Sequence, residues 1–299
     1  MIDFKFHVFS LVAIFLALGI GIVIGITLVG DEALVKEQKV IIDRLEEDFK
    51  MLRGQSRETQ KEVAAFKNSN NTYQKFVQAI LPALVKDRLK GQNVVIITTS
   101  HYECIDSLIN SLYLAGANVI SSTKFNTSFN FSDQKARLLI YEKLGIKTTK
   151  SSSQLAIDVA EYIAHGILHG LEPKILTFLE EIDIIQFKGG FADSLDSVII
   201  LGGSQNKRDN LAKLIDLPII SYFLKAEVKV AGTELSEVPY SVVPLYQTKK
   251  IITVDNIDTA IGQAALILAL DNMPGHYGIK STADCILPPL DEVAVGSGF

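Results

Sequence analysis

An uncharged opening run, a heptad repeat behind it, and buried strands alternating with amphipathic helices predict a three-part chain. The predicted fold class is an N-terminal transmembrane helix, a long parallel coiled coil, and a Rossmann-like α/β domain with a mostly parallel sheet. The parts are expected at residues 1–31 (membrane anchor), 32–81 (coiled coil) and 91–290 (α/β domain), with a flexible tail over 291–299.

The anchor comes first. Between His7 and Asp31 lie 23 residues without a charge. As a helix they reach roughly 34 Å, enough to cross a hydrocarbon core of about 30 Å. A cleaved export signal has a shorter apolar core and ends in small residues at a cleavage site. Here the run ends in GITLVGDE, so an uncleaved anchor is expected. Lys5 precedes the span, offset by Asp3, while Asp31 and Glu32 follow it. Positive-inside logic then places the N-terminus in the cytoplasm and the bulk outside a single-pass cell membrane span. Ala13, Ala17, Gly21 and Gly25 recur every four residues, a smooth stripe on which two such helices can approach closely.

From Val35 a heptad can be counted. Its a and d positions include Val35, Ile42, Leu45, Phe49, Leu52, Val63, Phe66, Asn70, Tyr73, Val77 and Ile80, and ten of the fourteen through Ile80 are apolar. β-Branched residues favour a, while leucines stand at d, the pattern of a parallel dimer, and an Asn at an a position is a device that sets register. Asp48 faces Arg53, and Glu62 faces Lys67, across such a pair. Self-association as a parallel homodimer is therefore expected. Pro82 should end or bend the helix.

The α/β domain follows. Strands are read at NVVIITT (Asn93–Thr99), ANVISSTKF, DSVIILGG, EVKVAGTE and KKIITVDN. Helices are expected over about Cys104–Ala115, from a Ser132/Asp133 cap to Leu144, and over Ser153–Leu168 and Pro173–Glu181. Three more are expected around Asn206–Leu214, Pro218–Lys225 and Thr259–Leu270. Strands alternating with helices mean a parallel sheet covered on both faces.

The charge of −5, without a basic arm, excludes nucleic acid as a partner class. Two cysteines, Cys104 and Cys285, leave open one disulfide or two free thiols. Ligands in such folds sit beyond the carboxyl ends of the strands, which nominates two turns. One holds Ser100, His101 and Cys104, where imidazole and thiolate can bind a soft metal. The other holds Gly202, Gly203 and Ser204, whose amides can cradle an anion, although no dinucleotide or P-loop fingerprint is present. His165 and His169 share a helix face at chelating spacing, but lack the Glu of a zinc-protease helix and read as a polar helix end. His276 is read in a glycine-flanked turn, and Asp258 as the cap of the last helix. No nucleophile elbow occurs, and no catalytic residue is assigned; the chain is not expected to be an enzyme.

The opening FHVFSLVAIFLALGIGIVIG, the coiled coil, and the distal ITVDNIDTAIGQAALILAL with GHYG resemble the mycobacterial copper transport protein B (MctB) family. The likeness covers nearly the full chain. It implies a bacterial cell-envelope protein with a role in copper efflux and homeostasis, in a family described as channel-forming and associated with an outer membrane. A related branch, resembling the corynebacterial SteB protein, pairs with a partner to control cell-wall hydrolysis and division. That branch implies the alternative of a non-catalytic dimeric scaffold or regulator acting on an envelope or division partner. No cofactor is evident in the residues; copper is implied by the resemblance alone. The chain has three methionines and no C-x-x-C, a sparse supply of the soft ligands Cu(I) prefers.

Overall fold

The computed structural model describes residues 4–100, 105–145, 151–207 and 211–289. The predicted tail over 291–299 lies outside them. The chain divides into two compact units, Met1–Thr72 and Tyr73–Phe299.

The first unit holds the greater part of helix α1, which begins at Phe4 and continues without a break to Val85, its end lying in the second unit. Phe4–Thr27 is long and apolar enough to cross a membrane, with a mean hydropathy of 2.8. The heptad residues Val35, Ile42, Leu45, Phe49, Leu52, Val63, Phe66 and Tyr73 are 45% to 76% exposed. A coiled coil is thus not evident among the described residues, although the helix that would build one is continuous.

The end of α1 departs from expectation. Of the two outcomes expected at Pro82, an end or a bend, the end does not occur there: the helix runs on to Val85, and the Lys86 amide donates to the Pro82 carbonyl at 3.0 Å. Leu81 and Val85 are buried in the core of the second unit, so their packing offsets the hydrogen bond that proline removes. The second unit therefore starts at Tyr73, well before residue 91. Val77 and Ile80, assigned to a dimer seam, are half-buried within the chain itself.

The second unit is a seven-stranded sheet in the order β3-β2-β1-β4-β5-β6-β7. Its strands are β1 (Asn93–Thr98), β2 (Asn118–Phe125), β3 (Ile185–Gly189), β4 (Ser197–Leu201), β5 (Lys229–Thr233), β6 (Ile252–Val254) and β7 (His276–Tyr277). All pairings are parallel except β2 with β3. The continuous apolar runs of β1 and β4 arise because both faces are covered. Val95, Ile97, Val198 and Ile200 face one core with α4 (Ser152–His169), α5 (Pro173–Glu181) and α6 (Leu217–Lys225). Val94, Ile96, Ile199 and Leu201 face the other, with α2 (Ile105–Leu114), α8 (Ala260–Asp271) and the end of α1.

Local signals set the helix starts. Asp133 accepts from the Ala136 amide at 2.8 Å to open α3 (Gln134–Leu144). Ser151 does the same for α4, and Thr259 for α8. Pro173 opens α5 at a position where its missing N–H is harmless. Part of the helix expected over Asn206–Leu214, residues 208–210, lies outside the described residues; a π-helical turn at Ala212–Asp216 covers its end and runs directly into α6. Strands β3 and β7 and the short α7 (Val243–Gln247) are additions to the expected pattern.

Candidate functional site

The carboxyl end of β1 delivers Thr98, Thr99 and Ser100 into the interior, each no more than 3% exposed. Beside it, β4 ends at Gly202, whose amide donates to the Thr233 carbonyl at 2.9 Å. Here β1 has β2 on one side and β4 on the other, the switch in strand order where an α/β sheet opens a crevice.

In this protein the chain fills that crevice itself. A Cβ on Gly202 would collide with the Tyr246 hydroxyl and lie 3.1 Å from Asp216 Oδ2. Gly203 has φ +88, a left-handed conformation open to glycine, and a Cβ there would stand 2.8 Å from Val238. The Ser204 amide donates to the Tyr240 carbonyl at 3.3 Å, and its hydroxyl to the Asn206 carbonyl at 2.8 Å. Two amides of the expected anion cradle, those of Gly202 and Ser204, are thus engaged within the chain.

Asp216 and Tyr246 meet above Gly202. The Tyr246 hydroxyl donates to Asp216 Oδ2 at 2.5 Å, and both residues are buried. Burial raises the Asp216 carboxyl from its ordinary 3.8 to about 6, against the opposing pull of the Tyr246 and Thr99 hydroxyls. Burial, followed by the adjoining Asp216 charge, pushes the Tyr246 phenol well above its usual range. Asp216 Oδ1, Ser100 Oγ, Thr98 Oγ1 and Asn256 Oδ1 have no hydrogen-bond partner among the described residues.

A second network closes the end of β5. Glu234 is fully buried and takes the Lys280 ammonium at 2.6 Å, the Ser241 hydroxyl at 2.8 Å and the Val242 amide at 2.8 Å. Lys280 also donates to the Leu235 carbonyl at 2.8 Å. Asp255, at the end of β6, accepts from the Ile279 and Lys280 amides at 2.7 and 3.0 Å. Asp258 does not cap α8, as expected, because Thr259 takes that role. Asp258 accepts instead from the amide and hydroxyl of Ser236, both at 2.7 Å. These carboxylates hold loops together.

The predicted soft-metal pair, His101 and Cys104, lies outside the described residues. Cys285 is an exposed free thiol. His276 stands in β7 instead of a turn, with Nδ1 2.9 Å from the Thr253 hydroxyl. His165 and His169 are exposed on the last two turns of α4, with ring centroids 4.6 Å apart. Among the described residues no group of three or more His, Cys, Asp or Glu could hold a metal. A groove of about 460 Å³ lies elsewhere, between α2 and the β2–β3 edge, lined by Ile109, Tyr113, Ser122, Lys124 and Lys188.

Sequence reasoning found the Gly202 turn but missed Asp216, Glu234, Tyr246 and Lys280. Glu234 carried a usable signal, because it directly follows a buried strand at its carboxyl end. Tyr246 and Lys280 carried none, since Tyr246 reaches the site from the short α7 and Lys280 from a loop beyond β7.

An apolar helix suited to a bilayer, joined to an α/β head whose interior acids are committed to its own loops, fits a membrane-anchored protein. The chain belongs to the family described as copper transport outer membrane protein, MctB, whose model matches residues 1–288. No curated protein matches it significantly.

Proposed function

We propose that this is a non-catalytic, membrane-anchored envelope protein that serves copper efflux and homeostasis as a parallel homodimer. The family match over residues 1–288 carries the copper assignment. The unbroken α1, with an apolar seam exposed from Val35 to Tyr73, supports pairing along the rod. The Ala13, Ala17, Gly21 and Gly25 stripe suits the same pairing within the bilayer, since nothing lies within 4 Å of a Cβ built on either glycine. The N-terminus lies in the cytoplasm and the head outside the membrane, as the charges flanking the span favour. The head is a Rossmann-like unit, with an order from β3 to β6 that matches the doubly wound pattern apart from the antiparallel β3.

Deleting the protein from its cell should raise cell-associated copper and lower copper tolerance. Unchanged copper content and tolerance would remove the assignment.

A second reading is a dimeric scaffold or regulator that presents its head to a cell-wall or division partner. It is favoured by the sparse metal-ligand supply among the described residues and by the self-filled crevice at β1 and β4. Under it, crosslinking captures dimers and a division partner, and deletion changes cell-wall hydrolysis while copper content stays constant.

A further inference from the structure

The exposed end of α4 carries two imidazoles without a structural task. The buried face of α4, from Leu155 through Val159 and Ile163 to Ile167, fixes the rotation of the helix against the sheet. That rotation turns His165 and His169 to solvent, one turn apart on a single face. Their ring centroids are 4.6 Å apart with planes inclined at 49°. The Tyr222 ring on α6 lies 6.2 Å from that of His165, with planes inclined at 68°. Among the described residues neither imidazole makes a hydrogen bond.

The position also favours a cation. His169 is the last residue of an 18-residue helix, where the macrodipole presents its negative end. Glu161, one turn before His165, and Glu172, three residues after His169, are both exposed and acidic.

We propose that His165 and His169 chelate a divalent first-row transition metal ion, with copper(II) preferred and water completing the coordination. Imidazole nitrogens suit such ions, and copper(II) stands at the top of the affinity order for a given nitrogen site. Its tetragonal geometry accepts two adjacent equatorial nitrogens, which side chains at i and i+4 can supply. Both side chains are exposed and can rotate to converge on one ion. Two protein ligands, where buried structural sites use four, make the site exchangeable. A loading position for a metal in transit has that character. The choice of ion rests on the copper reading of the family; the chelating geometry does not.

The test is copper(II) titration of the full chain in detergent micelles, followed by pulsed electron paramagnetic resonance. The wild-type protein should bind one ion with two imidazole nitrogens. His165→Ala and His169→Ala should each weaken binding by about tenfold or more, and the double variant should lose the two-nitrogen signature. Melting temperatures should not move, because both side chains are exposed. Zinc(II) and nickel(II) should bind more weakly at the same pair. Absence of binding by the wild type, an unchanged signal in the double variant, or loss of the signal in a His101→Ala/Cys104→Ser variant instead would overturn the site. The cellular copper measurement separates this proposal from the family reading. Copper accumulation on deletion with no metal at the pair sinks the site alone. Metal at the pair with unchanged cellular copper sinks the transport role alone.

Discussion

Replacing Asp216 with asparagine should stabilise the protein at neutral pH, although it changes the acceptor of a short hydrogen bond. Burial holds the Asp216 carboxyl at about 6, against 3.8 in the unfolded chain. The native state therefore holds its proton more tightly, and stability falls as pH rises between those values. About two pH units at roughly 1.4 kcal/mol each give a penalty of about 3 kcal/mol above pH 7. The amide carries no such penalty and still accepts from Tyr246. The amide N–H that replaces the partnerless Oδ1 costs about 1–2 kcal/mol where it stays unpaired. The net gain is therefore about 1–2 kcal/mol, or roughly 2–8 °C in a domain of this size. Thermal melts of the full chain in detergent at pH 7.5 and pH 4 provide the assay. The advantage should be clear at pH 7.5 and nearly gone at pH 4, where wild-type Asp216 is protonated in the fold. A variant that is destabilised at pH 7.5 would refute the reasoning. It would mean that the ionised carboxylate is held by a cation or donor outside the Tyr246–Thr99 pair.

Gly202→Ala should lower the denaturant midpoint by the equivalent of about 1–3 kcal/mol, because its Cβ meets the Tyr246 hydroxyl; an unchanged midpoint would show the crevice to be open. Lys280→Met should cost about 3–5 kcal/mol by leaving the buried Glu234 unpaired, and adding Glu234→Gln should recover much of it in urea unfolding. Leu45→Asp together with Leu52→Asp should abolish crosslinked dimers while the circular dichroism of the head persists; dimers that survive would place association elsewhere. Asn70→Ile should tighten the same association and loosen its register, read as mixed disulfide crosslinks from cysteines placed along the rod.

Much of the fold was legible because its signals are local. Strands β1 and β4 are apolar at successive residues since both sheet faces are covered, and their β-branched Val and Ile set them apart from the Ala- and Leu-rich run of α8. Asp133 and Pro173 announce helix starts through chemistry confined to one turn, whereas the cap of α8, expected at Asp258, falls one residue later, at Thr259. Strand β3 escaped because IQFKG lies at the sheet edge, where only Ile185 is fully buried. Strand β7 is two residues long and depends on its pairing with Thr253 and Val254. Pro82 misled because a local rule met tertiary packing: Leu81 and Val85 enter the core and carry the helix past it. Beyond Val77, the residues buried in the head recur at 81 and 85, a spacing of four, while a heptad seam would continue at 80 and 84. The periodicity alone could not reveal that the helix exchanges one partner surface for another. The site shows the same division. Gly202 was visible as a turn, but what fills it comes from Asp216 and Tyr246, which no short-range pattern connects to it.

The fold also constrains how a family described by copper transport and an outer membrane can act here. Only helices and closed barrels satisfy backbone groups in lipid. The sheet has two ends, at β3 and β7, and both of its faces are covered by helices, so it is not a spanning barrel. Among the described residues the segment suited to lipid is Phe4–Thr27, and from Val8 to Thr27 it contains no ionisable side chain. A metal ion crossing beside that helix would find no ligand and no compensating charge. A path through the bilayer would therefore have to come from other membrane components or from an assembly of anchors around water. Among the described residues a pair of adjacent exposed imidazoles stands on the head, at the end of α4. Under the function proposed above, the chemistry this chain adds is capture or release of the ion at that pair.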